Sequence, residues 1–553
     1  MTDGIAAPTV RAWARLAVRA LEDAAGPLDR ANVFPVPDAD TGTNLVLTVR
    51  EGAAAVGATA PGTDGAATAA AFARGCLFGA RGNSGVIVAA WVGALVAAWG
   101  SGPVTALAEA ARAARTAVAD PADGTALTAA DEAALAARRA ADGALLAVLV
   151  AACDGATEAV LRSPGDLGPR GQGRLDAGAQ GLRLVLGALA AACGGTDPAL
   201  VRVVAEVAPG VSVADGRLDA VTVPPSPPPS DELEVMFTLD VPTPDEPAAG
   251  DPASAAPDVA DAMRAVLSGT GTSVAVVGGD GTWRGHVHTA DPGRALDAAA
   301  QVASDAGGRL RDVQVQDLTQ VREGGLGVVA VTSAPGLVTE LARAGAVVLA
   351  HGRRRTPPGP SALRRAFEET RAHVVLLVAP PGTPVPDDEE PVSGEHAPVV
   401  VHVWTPTDAH TVSALAALAT VPPPAADADG AGAVVDVDAL VAAAVRTRDV
   451  VDRVRGAVLP TAWGSAVGVV EALLATAGAG APGPSGAVVL VAGENADQDL
   501  IARVVEHVEA RDPGAEVLVL ASGRDDAVVH VGVEPPPSEA PAPSDAGGAA
   551  GAA

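Results

Sequence analysis

Apolar residues recur at helical spacing through the first two hundred positions. In PTVRAWARLAVRALEDAAG, Val10, Trp13, Leu16, Ala17 and Leu21 fall on one face. This is the i, i+3, i+4 pattern of an amphipathic helix, which Pro8 opens and Gly26 is expected to close. Further helices are predicted over Leu45–Val56, Val86–Trp99, Val104–Ala117, Asp131–Ala141 and Ala179–Ala192, separated by short Gly/Pro/Asp breaks. Ala and Leu dominate and β-branched runs are short, so the expected architecture is an all-α bundle or helical barrel.

The pattern changes at VTVPPSPPPSDE (Val221–Glu232), a proline-dense stretch that reads as an extended linker. Strand-like runs follow: LEVMFTLDV, TSVAVVGG and WRGHVHTA, with VADAMRAVLSG and GRALDAAAQVASDAG as helices. Beyond Gly325, apolar runs (GVVAVTS, AVVLAHG, HVVLLVAP, PVVVHVW) alternate with helical ones, the signature of buried strands with crossover helices. The sequence therefore predicts a multidomain chain. An all-α domain spans 1–205, a Pro-rich linker 206–230, an α+β middle domain 231–322 and an α/β C-terminal domain 323–533. The tail 534–553 is too poor in large apolar residues to build a core and is expected to be disordered. A length of 553 residues agrees with about three or four domains.

The formal net charge of −29 argues against nucleic acid and anionic membrane as partners, because phosphate contacts need clustered cations. All 37 basic residues are arginine, and the RRR at Arg353–Arg355 reads as a solvated loop. Cys76, Cys153 and Cys193 form no CxxC and lie in Ala/Leu-rich surroundings, as buried free thiols of a reducing compartment do. The N-terminus lacks a basic segment followed by an apolar one. The longest apolar run, Val86–Trp99, has 14 residues, short of the ~20 that span a bilayer. The expectation is a cytoplasmic protein without a transmembrane segment.

Asparagine occurs only four times, and Asn32, Asn44 and Asn83 lie close together in sequence. The first two bracket NVFPVPDADTGTN, in which Pro35 and Pro37 hold the chain extended before Asp38 and Asp40. Carboxylates at i and i+2 in a loop can converge on a hard cation such as Mg²⁺, and Asn32 could add an amide oxygen. Thr41 and Thr43 lead into a helix whose N-terminus presents free N–H groups to a phosphate. Taken alone, Asp38 and Asp40 read as helix caps. GARGNSG (Gly79–Gly85) likewise reads as a glycine turn, although its glycines admit close backbone approach to an anion while Asn83 and Ser84 donate. DAGAQG (Asp176–Gly181) is a third such helix start, and capping alone accounts poorly for three of them in one domain.

NVFPVPDADTGTN, GARGNSGV and DAGAQGL, in this order, resemble the nucleotide-binding domain of the dihydroxyacetone-kinase L (DhaL, DAK2) family and, more closely, the fatty acid kinase A subunit. PADGTALT (Pro121–Thr128) and GGDGTWRGHVHTADPG resemble further segments of that family. The resemblance implies a DhaL-like eight-helix barrel holding ATP across one mouth. It implies Mg²⁺ on Asp38 and Asp40 with Asn32, phosphate contacts from Thr43, Asn44, Asn83 and Ser84, Thr125 and Leu127 near the nucleotide, and Asp176 as a further site residue. It also implies a fatty acid acceptor presented by a separate DegV-like binding protein, an acyl phosphate product, and a possible homodimer. The first 200 residues contain no histidine, which suits an acceptor carboxylate that needs no general base.

The chain also departs from the family. Ala39 stands where glycine is usual. His286 and His288 alternate on a predicted strand and so share a face; in the family such a pair joins a cysteine on Zn²⁺. Here the matching position reads as Met236, and two histidines without a third ligand make a poor zinc site. The C-terminal half diverges most, which leaves two alternatives: a nucleotide-binding regulatory scaffold of reduced activity, or a dihydroxyacetone-type (glycerone) kinase component.

Overall fold

A computed structural model describes residues 4–34, 39–168, 173–194, 232–242, 259–317, 325–352, 357–386, 398–419, 437–476 and 486–534. The expected linker and most of the expected tail, together with Asp38 and Arg353–Arg355, lie outside them. The chain forms two units: Met1–Val329 with Val338–His373 and Pro384–Pro398, and Ala330–Leu337 with Val374–Thr383 and Val399–Ala553.

The first unit opens with eight helices: α1 (Ala7–Ala31), α2 (Thr41–Gly57), α3 (Gly65–Gly79), α4 (Gly82–Ala98), α5 (Pro103–Ala117), α6 (Ala126–Arg139), α7 (Leu145–Leu167) and α8 (Ala177–Gly194). Each packs on the next, and α8 returns to α1. Trp13, Phe72, Trp91 and a set of leucines and alanines fill one continuous core. Antiparallel succession leaves the N-termini of α2, α4, α6 and α8 at one end, and this is what builds the site. Two helices were not individually predicted, α3 and α7, and the reason is glycine. A Cβ at Gly75 would sit 2.6 Å from the Glu51 carbonyl, and one at Gly155 would sit 2.5 Å from that of Glu132. These glycines let helices touch and do not break them.

A second correction concerns α1. It runs past Gly26 and through Pro27 to Ala31, because Leu28 and Asp29 are buried and tertiary packing outweighs the cost of an interior proline.

Among the described residues two helices, Gly82–Ser101 and Ala177–Gly194, are long and apolar enough to cross a membrane by length and composition. Their apolar windows are 56% and 78% buried within the protein, as in core helices.

The sheet region follows with β1 (Leu233–Asp240), α9 (Val259–Ser268), β2 (Thr272–Gly279), β3 (Thr282–Thr289), α10 (Pro292–Asp305), β4 (Arg309–Gln316), β5 (Leu326–Thr332), α11 (Val338–Arg343), β6 (Ala346–Ala350) and α12 (Pro360–Glu369). Within the first unit the strand order is β2-β3-β1-β4-β6, and β5 straddles the boundary, Ala330–Thr332 belonging to the second unit. β1 pairs antiparallel with β3 and β4, and β2 pairs antiparallel with β3. The stretch Val338–His373, read from sequence as part of a C-terminal domain, belongs to this first unit.

The second unit carries β7 (Val374–Ala379) parallel to β8 (Val399–Trp404). It continues through α13 (Asp408–Ala419), α14 (Val437–Val451), β9 (Arg455–Val458), α15 (Trp463–Thr476), β10 (Ala487–Ala492), α16 (Gln498–Arg511), β11 (Glu516–Ala521) and β12 (Val529–Val533). β10 and β11 are parallel, as a strand–helix–strand unit requires, and β12 and β9 complete the sheet in antiparallel sense.

Candidate functional site

The overrun of α1 carries Asp29 to the start of α2. Its Oδ1 accepts from the backbone N–H groups of Gly42 (2.6 Å) and Thr43 (3.0 Å), and its Oδ2 accepts from the Thr43 hydroxyl (2.8 Å). Burial pushes Asp29 above the usual carboxylate range, and the Thr43 hydrogen bonds and the Arg371 charge oppose that push. Gly42 must be glycine, since a Cβ there would lie 2.3 Å from the Ala25 carbonyl. Asp29 therefore does the capping that sequence would assign to Asp40. Asp40, at the N-cap position and buried, makes no capping hydrogen bond. Ala39 has φ 54°, in the left-handed region that glycine tolerates best. Asn32 is buried at the C-cap of α1, its N–H donating to the Asp29 carbonyl.

Four helix starts converge. Thr41 Oγ1 at the head of α2 lies 3.4 Å from Ser84 Oγ at the head of α4. Gly82 has φ 53°, and a Cβ there would stand 2.5 Å from Asn44 Nδ2. A Cβ at Gly178 in α8 would be 3.3 Å from Asp176 Oδ1, 3.5 Å from Ala126 Cβ in α6 and 3.7 Å from Ser84 Oγ. Thr125 caps α6 by accepting from Leu127 N–H (3.3 Å), and Asp176 caps α8 by accepting from Ala179 N–H (2.7 Å). Helix N-termini carry partial positive charge and orphan donors, so their convergence makes a site for an anion.

The starts open onto a cavity of about 650 Å³ lined by Thr41, Asn83, Ser84, Thr125, Leu127 and Asp176, with Ile87 and Val118 supplying apolar wall. Asn83 Oδ1 is buried there and finds no hydrogen-bond partner among the described residues, which is costly unless a ligand donates to it. Burial raises Asp176 to about 7, against the backbone hydrogen bonds of Ala179, Gly178 and Ala126 that lower it.

Of the residues singled out in the sequence, Asn83, Ser84, Thr125, Leu127 and Asp176 line this cavity. Asn44 packs against Gly82 at the head of α4, and Thr43 is turned to Asp29. Asp40 and Asn32 are buried just before α2, and Asp38 lies outside the described residues. Sequence reading missed Asp29, whose role depends on where α1 ends. It also missed the opposite wall of the cavity, Ser268 and Gly271–Val274.

The histidines share a face, with ring centroids 4.9 Å apart, and a third group joins them. It is Glu234, which the sequence reading had not counted: its Oε1 lies 2.9 Å from His286 Nε2, and the ligand atoms of Glu234, His286 and His288 all fall within 4.8 Å of one another. The sequence could not supply this third group, because it comes from cross-strand register: Glu234 pairs with His288 on β1 and β3. A buried His₂Glu set with His286 Nδ1 donating to the Ser273 carbonyl (2.9 Å) fits a divalent cation such as Zn²⁺. A proton on His286 Nε2 satisfies the same geometry. Burial pushes Glu234 up, but hydrogen bonds from His286 and Gln316 and the charges of both histidines outweigh it and hold it at about 2. Burial, then the charge of His286, lowers His288 to about 4. The cluster abuts the head of α4: Glu234 Oε1 is 3.8 Å from where a Gly82 Cβ would stand.

Next to it lies a buried ionic group. Arg81, the N-cap of α4, contacts Glu369 of α12, which also accepts from Gln314 on β4. Arg284 on β3 donates to Thr238 (3.1 Å), and Arg365 of α12 pairs with Asp312 (3.2 Å).

Two family models match the chain. The family model of the DAK2 domain matches residues 35–191, and that of the fatty acid kinase A-like middle domain matches residues 234–323. Over 68 residues the chain is 47% identical to "Protein YloV" of Bacillus subtilis and to an uncharacterized protein of Staphylococcus saprophyticus. It is 46% identical to an uncharacterized protein of Staphylococcus haemolyticus. The matched stretch is 12% of this chain and 12% of each relative.

Proposed function

The chain belongs to the fatty acid kinase A / DAK2 family, and from that premise we propose that it is an ATP-dependent kinase whose acceptor is a fatty acid carboxylate presented by a DegV-like binding protein in the cytoplasm. The eight helices act as a barrel with ATP at the end where α2, α4, α6 and α8 begin. The observation that carries this reading is the convergence of those starts on a cavity of about 650 Å³ in which Asn83 Oδ1 is buried with no partner among the described residues.

In this reading Asn83, Ser84 and the N–H groups at the head of α4 hold the phosphates, and Leu127 and Ile87 pack on the nucleoside. Asp38 and Asp40, with Asn32, are the Mg²⁺ ligands in this reading, Asp40 and Asn32 being buried just before α2. Mg²⁺, when bound, neutralises charge on the phosphates. A carboxylate oxygen of the acceptor attacks the γ-phosphorus, the bond from that phosphorus to the β–γ bridging oxygen breaks, and ADP leaves with its electron pair. No proton is transferred, so the protein's work is positioning and charge neutralisation.

The test combines the full chain, Mg-ATP, a DegV-like protein loaded with fatty acid, and hydroxylamine to trap acyl phosphate as a hydroxamate. Hydroxamate that requires all components supports the kinase. Nucleotide binding with no hydroxamate, with several acyl chains tried, points to the regulatory scaffold. Asp38→Asn is expected to abolish turnover while the circular dichroism spectrum and thermal midpoint stay near wild type; unchanged turnover would remove Asp38 from the site.

A further inference from the structure

We infer that the middle domain closes the nucleotide cavity, with the bulged start of β2 forming the wall that meets the nucleoside and His286 positioning that wall. This rests on the nucleotide reading above and deepens it.

The cavity has two faces. Helix starts make one, and Ser268, Gly271, Thr272, Ser273 and Val274 make the other. β2 is the edge strand of its sheet, and its outer edge is used: Val118 forms a bridge with Ala275, and Ala119 N–H donates to the Val274 carbonyl (3.0 Å). The α5–α6 loop, which lines the cavity through Ala119–Asp123, is thereby clamped to the middle domain.

The wall is an irregularity of the strand. The pairing of β2 with β3 slips between Thr272 and Ala275, and Ser273 takes φ 51°. Bulges re-aim side chains and recur beside active sites, and a left-handed serine needs something to hold it. His286, fully buried, provides this by donating from Nδ1 to the Ser273 carbonyl (2.9 Å). Gly271 is pinned as well, since a Cβ there would stand 2.1 Å from the His288 carbonyl.

The chemistry of the wall selects which end of the ligand meets it. It offers hydroxyls and backbone but no cation, and Asp120 stands beside it, while Asp123 is paired with Arg115 (2.9 Å). Phosphates are repelled there and are drawn to the helix starts opposite. The ribose and base fit against Thr272, Ser273 and Val274.

The experiment is calorimetric titration of the full chain with Mg-ATP and with inorganic tripolyphosphate. Thr272 is an exposed rim residue, so Thr272→Trp fills the cavity from this side without touching the sheet core. ATP affinity is expected to fall at least tenfold while tripolyphosphate affinity stays within twofold. Equal loss of both ligands overturns the nucleoside assignment. If Thr272→Trp binds ATP normally while Asn83→Ala binds it weakly, the wall is wrong and the nucleotide reading stands. If neither variant changes ATP binding, the nucleotide reading falls and this inference with it. For His286 the discriminating pair is His286→Asn, whose amide reproduces the Nδ1 donation, against His286→Leu. Affinity retained in the first and lost in the second supports positioning, and equal loss in both removes it. Should these variants not fold, Thr272→Trp decides alone.

Discussion

The helical and sheet regions of the first unit handle buried polarity in opposite ways. In the helices, Trp13, Phe72, Trp91, Leu107 and Leu182 fill the interior, and many of the buried polar groups gather at one end, at Asp29, Asn32, Asp40, Thr41, Asn44, Arg81 and Asp176. In the sheet, β1 and β3 carry Glu234, Thr238, Arg284, His286 and His288 buried along the strands themselves. A helix satisfies its own backbone and leaves donors open only at its start, so polar side chains and ligands collect there. A polar strand side chain on a covered face must find its partner across the sheet or lose its hydration uncompensated. The first arrangement makes a binding end. The second makes a rigid interior that supports it.

The sharpest way to break this contrast is at Arg81–Glu369, where a helix cap is paired with a carboxylate of α12. Glu369→Ala leaves Arg81, Arg284 and Arg365 buried with one counter-charge fewer, and it is expected to cost about 3–5 kcal/mol in urea unfolding. Replacing Arg81 and Glu369 together by methionine is expected to cost less than Glu369→Ala alone, because a cation leaves with the carboxylate and the net charge of the buried group is unchanged. If Glu369→Ala costs under about 1 kcal/mol, the ionic interior is ornamental to stability and the contrast fails.

Asp29→Ala probes the other side. It removes three hydrogen bonds from the head of α2, and a loss of about 2 kcal/mol is expected, the upper range for a cap. Mg-ATP affinity should fall along with it, since Asp40 and Thr41 are set by the same turn. Stability lost with affinity intact would separate the cap from the site.

Legibility followed the same contrast. Asn83, Ser84 and Asp176 were readable because helix starts are local: a short glycine-bearing stretch before an apolar run announces both the turn and its open donors. Asp29 was not, since Gly26-Pro27 reads as an end and only the burial of Leu28 carries α1 onward. Glu234 was not, because the group that meets a histidine across a sheet depends on register: Met236 pairs directly with His286, and Glu234, paired with His288, reaches His286 on the diagonal. The strands of the middle domain were recognised by their apolar runs, except β4, RLRDVQVQ, whose charged residues hide a strand buried at Leu310, Val313 and Val315. The pairing of α12 with β4, through Arg365–Asp312 and Glu369–Gln314, is a contact at long range that no local pattern encodes.

The last test uses the one helix start that carries a buried carboxyl inside the cavity. Burial raises Asp176 to about 7 from an ordinary value of 3.8, so the folded state binds this proton more tightly than the unfolded chain does. The sign follows. Below pH 4 the group is protonated in both states and contributes nothing. As pH rises from 4 to 7 the unfolded chain loses its proton first, and stability falls. Above 7 both states are ionised, and the loss is complete. Asp176→Asn carries no such penalty, yet its amide oxygen can still accept from Ala179 N–H. Without nucleotide, the variant should therefore match wild type most closely at or below pH 4 and exceed it by about 3–4 kcal/mol at pH 8, read from thermal or urea unfolding at both values. A pH-independent difference would mean that Asp176 is solvated through the cavity and titrates as an ordinary carboxylate. The helical end would then resemble a wet surface more than the low-dielectric pocket that distinguishes it from the sheet.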